Sequence, residues 1–354
     1  MAITGTDLSA ADRIDIHTHV LPAHMPRWAD RFGYGGFVGL QMCGNHSARM
    51  VRDDGSVFRQ VESNLWDAPT RLAAMDAAGV AVQVLSTVPV MFNYWTQPSD
   101  GAQVARFLND HLAQFVAKAP RRFVGLATLP MQDPDLAIHE LERAIGELGL
   151  AGVQIGSHVK GIHGDWNLSE PALGPVFTRA AELGAAVFVH PWDMMGESSM
   201  PQYWLPWLVG MPAECSRALC SLIFGGVFER LPRLRVCVAH GGGSFAATLG
   251  RIAHGHAARP DLCAIDNPRS PLEYARSFWV DALVHDARAL QLVLDVVGDD
   301  RVAVGSDYPF PLGESRVGEL VDSMDLPLAT RQKLLVDNAL QWLGLDSELR
   351  RLAC

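Results

Sequence analysis

The chain has 354 residues, with 29 lysines and arginines against 39 aspartates and glutamates, a formal net charge of −10 at pH 7. This acidic balance, with no basic run of five or more, excludes the charge footprint of a nucleic-acid binder and means that any anion must be met by a few local cations. With 49% hydrophobic and 19% charged residues, the chain reads as a globular protein able to bury a large core, long for one domain and short for two enzymatic ones.

The opening residues MAITGTDLSAADR lack the basic and apolar segments of a secretory signal, so a cytoplasmic protein is expected. The first predicted strand, 13–17, runs into His17-Thr18-His19. A period of two turns both imidazoles to one face, ~6–7 Å apart along the backbone, from where both can reach one cation. Taken alone, the pair reads more simply as a polar strand end in water. Residues 20–67 carry turn signals at Gly33-Tyr34-Gly35-Gly36 and Asp53-Asp54-Gly55 between short apolar runs, and read as a small β-containing insertion domain covering the mouth of the main fold. Beyond it, strands predicted over 80–86, 123–129, 152–155, 186–190, 235–239, 278–281 and 301–305 alternate with predicted helices over 69–78, 100–118, 135–148, 175–183, 211–228, 245–259, 286–297 and 328–343. Near-continuous apolar strands suit a parallel sheet buried on both faces, and eight strand–helix units suggest an α/β (β/α)8 TIM-like barrel. A minimal barrel needs about 250 residues. Residues 1–19 and 68–354 are assigned to it, with the surplus in the insertion and in a tryptophan-rich loop over 191–212.

The most apolar stretch, 203–228, is interrupted by Pro206, Pro212, Glu214 and Arg217, which makes it a poor membrane span and a better buried or subunit-facing helix. The six cysteines, at 43, 215, 220, 237, 263 and 354, form no Cys-x-x-Cys pair and read as reduced thiols filling space.

Four strand ends carry ligand-type residues: His17-Thr18-His19, Val189-His190-Pro191, Ala239-His240-Gly241 and Gly305-Ser306-Asp307. In a barrel these ends meet at one mouth. Imidazole and carboxylate suit zinc and its transition-row neighbours, and three or four protein ligands with one open position mark a catalytic site that activates water. We assign His17, His19, His190 and Asp307 to the metal and His240 to proton transfer, for which its ordinary pKa near 6.5 fits. Each residue singly could be a hydrogen-bonded strand end; the joint placement favours the metal. The other histidines, at 24, 46, 111, 139, 158, 163, 254, 256 and 285, lack this placement and read as mostly solvated or on helix surfaces. Lys160 could bridge a two-metal site if carbamylated, but a surface lysine and a single metal fit its loop better. Gly241-Gly242-Gly243-Ser244-Phe245-Ala246 satisfies the loose G-x-G-x-x-A dinucleotide pattern, yet its sixth place in the series suits a tight βα-turn beside His240.

The segments Ile14-Asp15-Ile16-His17, Phe188-Val189-His190-Pro191-Trp192-Asp193, Ala239-His240-Gly241-Gly242-Gly243 and Ser306-Asp307-Tyr308-Pro309-Phe310-Pro311 resemble the amidohydrolase superfamily. Arg31-Phe32-Gly33-Tyr34-Gly35-Gly36, Leu85-Ser86-Thr87-Val88-Pro89-Val90-Met91-Phe92, Tyr203-Trp204-Leu205-Pro206-Trp207 and Val280-Asp281-Ala282-Leu283-Val284-His285-Asp286 narrow this likeness, over about residues 14–345. They resemble the α-amino-β-carboxymuconate-ε-semialdehyde decarboxylase family of tryptophan (kynurenine-route) and nitroaromatic breakdown. The resemblance implies a non-oxidative decarboxylation to aminomuconate semialdehyde that depends on one zinc ion per subunit and needs no organic cofactor. It implies that His17, His19, His190 and Asp307 hold zinc, that His240 acts on the metal's water with Asp307 also counted as catalytic, and that Arg59 binds a substrate carboxylate. It also implies a homodimer in which Arg251 reaches into the neighbouring subunit's site, and a place for Trp204 as a lid aromatic over the substrate, a core or interface role being equally open. Bidentate guanidinium clamps suit a small, multiply anionic substrate.

Where the family carries a lysine shortly before its arginine, this chain reads Arg49-Met50-Val51-Arg52, so any lysine role passes to Arg49 or Arg52 or is absent. Residues 160–164 also look like a small insertion. Rival readings are a related aromatic carboxylate decarboxylase, a metal-dependent hydrolase of an amide, ester or lactone, and a metal-binding scaffold without catalysis.

Overall fold

The computed structural model describes residues 12–161 and 164–345, which leaves His163, Cys354 and the opening residues 1–11 outside the described residues. Strand β1 (Ile14–Val20) is followed by β2 (Val38–Met42), β3 (Ser47–Arg52) and β4 (Val57–Glu62), and then by β5 (Val82–Thr87), β6 (Phe123–Thr128) and β7 (Gly152–Gly156). A hairpin, β8 (His158–Gly161) and β9 (Gly164–Asn167), precedes β10 (Ala186–His190), β11 (Arg235–Val238), β12 (Trp279–Asp281) and β13 (Val302–Ala303). Eight of these form one parallel sheet in the order β1-β5-β6-β7-β10-β11-β12-β13, so each connection moves one place in the same direction. The segment just past β13 closes the ring. Ile16 N–H donates to Val304 O at 3.1 Å, Asp307 N–H to His17 O at 2.8 Å and His19 N–H to Tyr308 O at 2.8 Å. The protein is a (β/α)8 barrel.

Strands β5, β6, β7 and β10 are buried at every residue, as apolar runs sandwiched between side-chain layers and outer helices must be. The helices start where the sequence offers caps. Asp67, Asp133 and Asp286 accept from the first-turn N–H groups of Thr70, Leu136, and Arg288 with Ala289. Strand β1 runs three residues beyond its expected end, because His19 and Val20 continue the register with Ser86 and Thr87 of β5. The expected helix over 211–228 is broken into Met211–Phe224 and Val227–Arg230. Gly226 takes φ +66°, and a Cβ on Gly225 would lie 2.5 Å from Ser169.

Strands β2, β3 and β4 form an antiparallel sheet of their own. Its inward residues Val38, Ala48, Met50 and Val61 join Leu21, Trp28 and Phe37, and with Val104 and Leu108 of helix Pro98–Ala117 they make a second core beside the barrel's. Among the described residues no helix is long and apolar enough to cross a membrane.

Candidate metal centre and its cavity

Period-two geometry puts His17 and His19 of β1 on one face, their ring centroids 5.2 Å apart. His190, the last residue of β10, and Asp307, just past β13, meet them: one ligand atom from each of the four lies within 4.8 Å of the others. All four are buried. The Nδ1 atoms of the three imidazoles face fixed acceptors, namely the Asp281 carboxylate at 2.7 Å from His17, the Thr87 carbonyl at 3.0 Å from His19 and the Pro191 carbonyl at 2.6 Å from His190. Each proton is thereby held on Nδ1, which leaves the Nε2 lone pairs directed inward. Among the described residues none of the three Nε2 atoms has a hydrogen-bond partner. Three buried, unsatisfied lone pairs around a carboxylate are costly in a protein alone, and they match the donor set of a divalent transition cation. Among the described residues this is the one such cluster.

The electrostatics agree. Burial pushes His19 down, and burial together with the neighbouring His17, His19 and His240 pushes His190 far down. Burial favours the neutral acid at Asp307, but the imidazoles of His19, His240 and His17 packed around it hold it well below the usual carboxylate range. Neutral imidazoles and an ionised carboxylate are the forms that bind a metal.

His240 stands beside this set, its ring centroid 5.1 Å from that of His17 and 5.2 Å from that of His190, with Nε2 3.8 Å from Asp307 Oδ2. Burial opposes charge on it, but Asp307 and Cys215 outweigh burial and hold it up at about 10. Both His240 (φ +56°) and Asp307 (φ +56°) sit in the left-handed region, a strain of roughly 1–3 kcal/mol each. The glycines after His240 are explained by space. A Cβ on Gly241 would lie 2.3 Å from Val284, and one on Gly243 would lie 2.1 Å from the Pro212 carbonyl.

Above the cluster lies a cavity of about 230 Å³ whose lining includes His19, His190, Asp307, Arg59, Trp204 and Asp193. Arg59, from β4, lies over the Phe310 ring at 4.8 Å, and no carboxylate pairs with it among the described residues. Burial pulls its guanidinium down and Asp307 pushes it back up. Arg52 also lines the cavity, whereas Arg49 is exposed and is not among its lining residues. Trp204 stands at the mouth, 39% exposed, with φ +57°. Arg251 is exposed on helix Phe245–Ala258 and does not reach its own chain's cavity. Lys160 is exposed and paired with Asp193 at 2.9 Å.

Three buried groups escaped the sequence reading. Asp281 binds His17 and the backbone of His240, and its position at the end of a barrel strand, like that of the ligands, was the available signal. His158, expected among solvated histidines, is instead buried against Glu214, 2.8 Å away, a contact across 56 residues of sequence that no local pattern announces. His256 is likewise buried.

The amidohydrolase family matches residues 14–345. A 2-amino-3-carboxymuconate-6-semialdehyde decarboxylase of Dictyostelium discoideum is 53% identical over 94% of this chain and 92% of its own length. One of Caenorhabditis elegans is 39% identical over 96% of both chains. A 5-carboxyvanillate decarboxylase of Novosphingobium aromaticivorans, solved with bound manganese, superposes with a TM-score of 0.70 at 28% identity, over 80% of this chain and 83% of its own. The chain belongs to the amidohydrolase family, among the 2-amino-3-carboxymuconate-6-semialdehyde decarboxylases, and is a decarboxylase.

Proposed function

We propose that the protein catalyses the zinc-dependent, non-oxidative loss of CO2 from α-amino-β-carboxymuconate-ε-semialdehyde, giving aminomuconate semialdehyde, in tryptophan–kynurenine or nitroaromatic catabolism. One observation carries this reading: three buried Nε2 atoms and Asp307 converge on a cavity that also holds the guanidinium of Arg59, with no hydrogen-bond partner for those nitrogens or that guanidinium among the described residues. When bound, the cation supplies the Lewis-acid charge that stabilises electron density as the carbon–carbon bond breaks. Arg59 holds a carboxylate and so sets which bond is aligned for cleavage. His240, held protonated by Asp307 and Cys215, gives a proton at Nε2, the atom that faces Asp307, and takes it back. Arg251, exposed and outside its own cavity, completes the clamp in the neighbouring subunit of a homodimer. Free thiols at Cys43, Cys215, Cys220, Cys237 and Cys263 suit a reducing, cytoplasmic setting.

The test is an assay of zinc-loaded and manganese-loaded protein for CO2 release and loss of the semialdehyde chromophore, run beside aromatic carboxylates and a panel of amides, esters and lactones. Release from the semialdehyde with the zinc form supports the reading; turnover confined to an aromatic acid or a hydrolysable substrate overturns it. The aromatic acid is the second reading to weigh, since Phe58, Trp95 and Phe310 line the cavity.

A further inference from the structure

A carboxylate on the wall of a cavity for a polyanion weakens binding by like-charge repulsion unless the ligand also brings a hydrogen-bond donor to meet it. Asp193 is such a carboxylate, in the same lining as Arg59, His19 and His190. Its Oδ2 accepts from Lys160 Nζ at 2.9 Å and lies 3.8 Å from His158 Nε2, while its Oδ1 has no hydrogen-bond partner among the described residues.

The group is held in place from behind. His158 is 3% exposed, and its Nδ1 lies 2.8 Å from Oε2 of the fully buried Glu214. Trp192 stacks on the His158 ring at 5.4 Å and donates its indole N–H to the His158 carbonyl at 2.9 Å. A Cβ on Gly156 would come within 2.6 Å of Trp192, so glycine is what lets the indole lie there. The residue before Asp193 is therefore held by the stacked His158 ring on one face and by its indole edge. His158 and Lys160 keep the acid at about 2, ionised throughout the neutral range.

We propose that Asp193 is a specificity-determining residue, its free Oδ1 accepting a hydrogen bond from an amino group adjacent to the substrate's carboxylate. The cavity then selects amino-bearing carboxylates over the same acids without the amine. This rests on the reading of the cavity as the substrate site.

Calorimetric binding of 3-aminophthalate and phthalate to the metal-loaded protein tests it without turnover. Wild type should bind the amino compound tighter by about tenfold or more, the range of one hydrogen bond to a charged acceptor. Asp193→Asn, and as a second variant Asp193→Ala, should bring the two affinities to near equality with phthalate binding retained or improved and the melting temperature unchanged. An undiminished preference in both variants, or an equal loss for both ligands, overturns the proposal. Phthalate binding by wild type without any preference for the amine overturns it alone, whereas failure of both ligands to bind also removes the anion-cavity reading beneath it.

Discussion

Asp281 receives four N–H groups on two oxygens. Oδ2 accepts from His17 Nδ1 at 2.7 Å and His240 N at 3.0 Å, and Oδ1 accepts from Gly241 N at 2.8 Å and Leu283 N at 3.2 Å. One buried carboxylate thus orients a ligand imidazole and pins the strained backbone of the residue assigned to proton transfer. An amide cannot replace it, since either rotamer of Asn sets an NH2 against two of these donors. Asp281→Asn is expected to weaken metal affinity by roughly 10–100-fold, the usual cost of a lost orienting partner; chelator competition measures this, and an unchanged affinity refutes it. His240 predicts a different pattern. Asn tolerates the left-handed φ of +56° at this position, so His240→Asn should keep its metal while turnover falls by about 10²–10⁴. Elemental analysis beside steady-state rates checks both halves, and metal-replete protein with normal rates excludes the role.

The barrel strands were legible because each is a short apolar run between longer helical segments, whereas the caps at Asp67, Asp133 and Asp286 emerged only with the structure. Four strand ends carrying ligand-type residues made the buried His17, His19, His190 and Asp307 cluster legible for the same reason: barrel topology converts positions remote in sequence into neighbours. What stayed hidden depends on contacts across the fold. Ser169 leaves no room for a Cβ at Gly225, which it precedes by a long stretch of chain, and Glu214 meets His158 by the same kind of accident of packing. His111, read as a surface residue of its helix, is instead half-buried on Pro98–Ala117 against Phe115, and burial, with Lys118 adding to it, pushes it down to about 4. The unfolded chain protonates near 6.5, so between these values the unfolded state binds the extra proton, and stability falls as pH drops from about 6.5 towards 4. Above that window both states are neutral and the effect vanishes. His111→Gln should therefore flatten the fall in urea midpoint between pH 7 and 5, measured on metal-free protein to exclude ligand protonation. Parallel profiles for variant and wild type would show that His111 does not report on folding.

At the scale of the molecule, the metal set ties the first strand, the fifth barrel strand and the closing segment, while the pair of arginines divides between two surfaces. Arg59 lies in its own cavity, and Arg251 lies outside on helix Phe245–Ala258. The same helix contributes Ala246 and Ala247 to an apolar groove that reaches His240, with Leu208 and Leu292 on its rim. Those two leucines are 48% and 41% exposed, and Val209 beside them is 53% exposed. A contiguous apolar patch of this kind next to an active site suits burial by a second subunit, which is the geometry the proposed homodimer requires for an arginine to be exchanged. Symmetry makes the exchange measurable. In a mixture of Arg251→Ala and His240→Asn chains, a mixed dimer has one site with His240 from its own chain and Arg251 from its neighbour, and the other site lacks both. Random reassortment gives about half mixed dimers, so the mixture of two inactive proteins should recover about a quarter of wild-type sites. Activity should appear only after subunits are allowed to exchange, and should grow with the mixed fraction seen by native mass spectrometry. If Arg251 serves its own chain, neither site of the mixed dimer is complete and no activity returns; if Arg251→Ala alone retains full rates, the residue has no part in the clamp and the substrate is held by Arg59 with its own chain's neighbours.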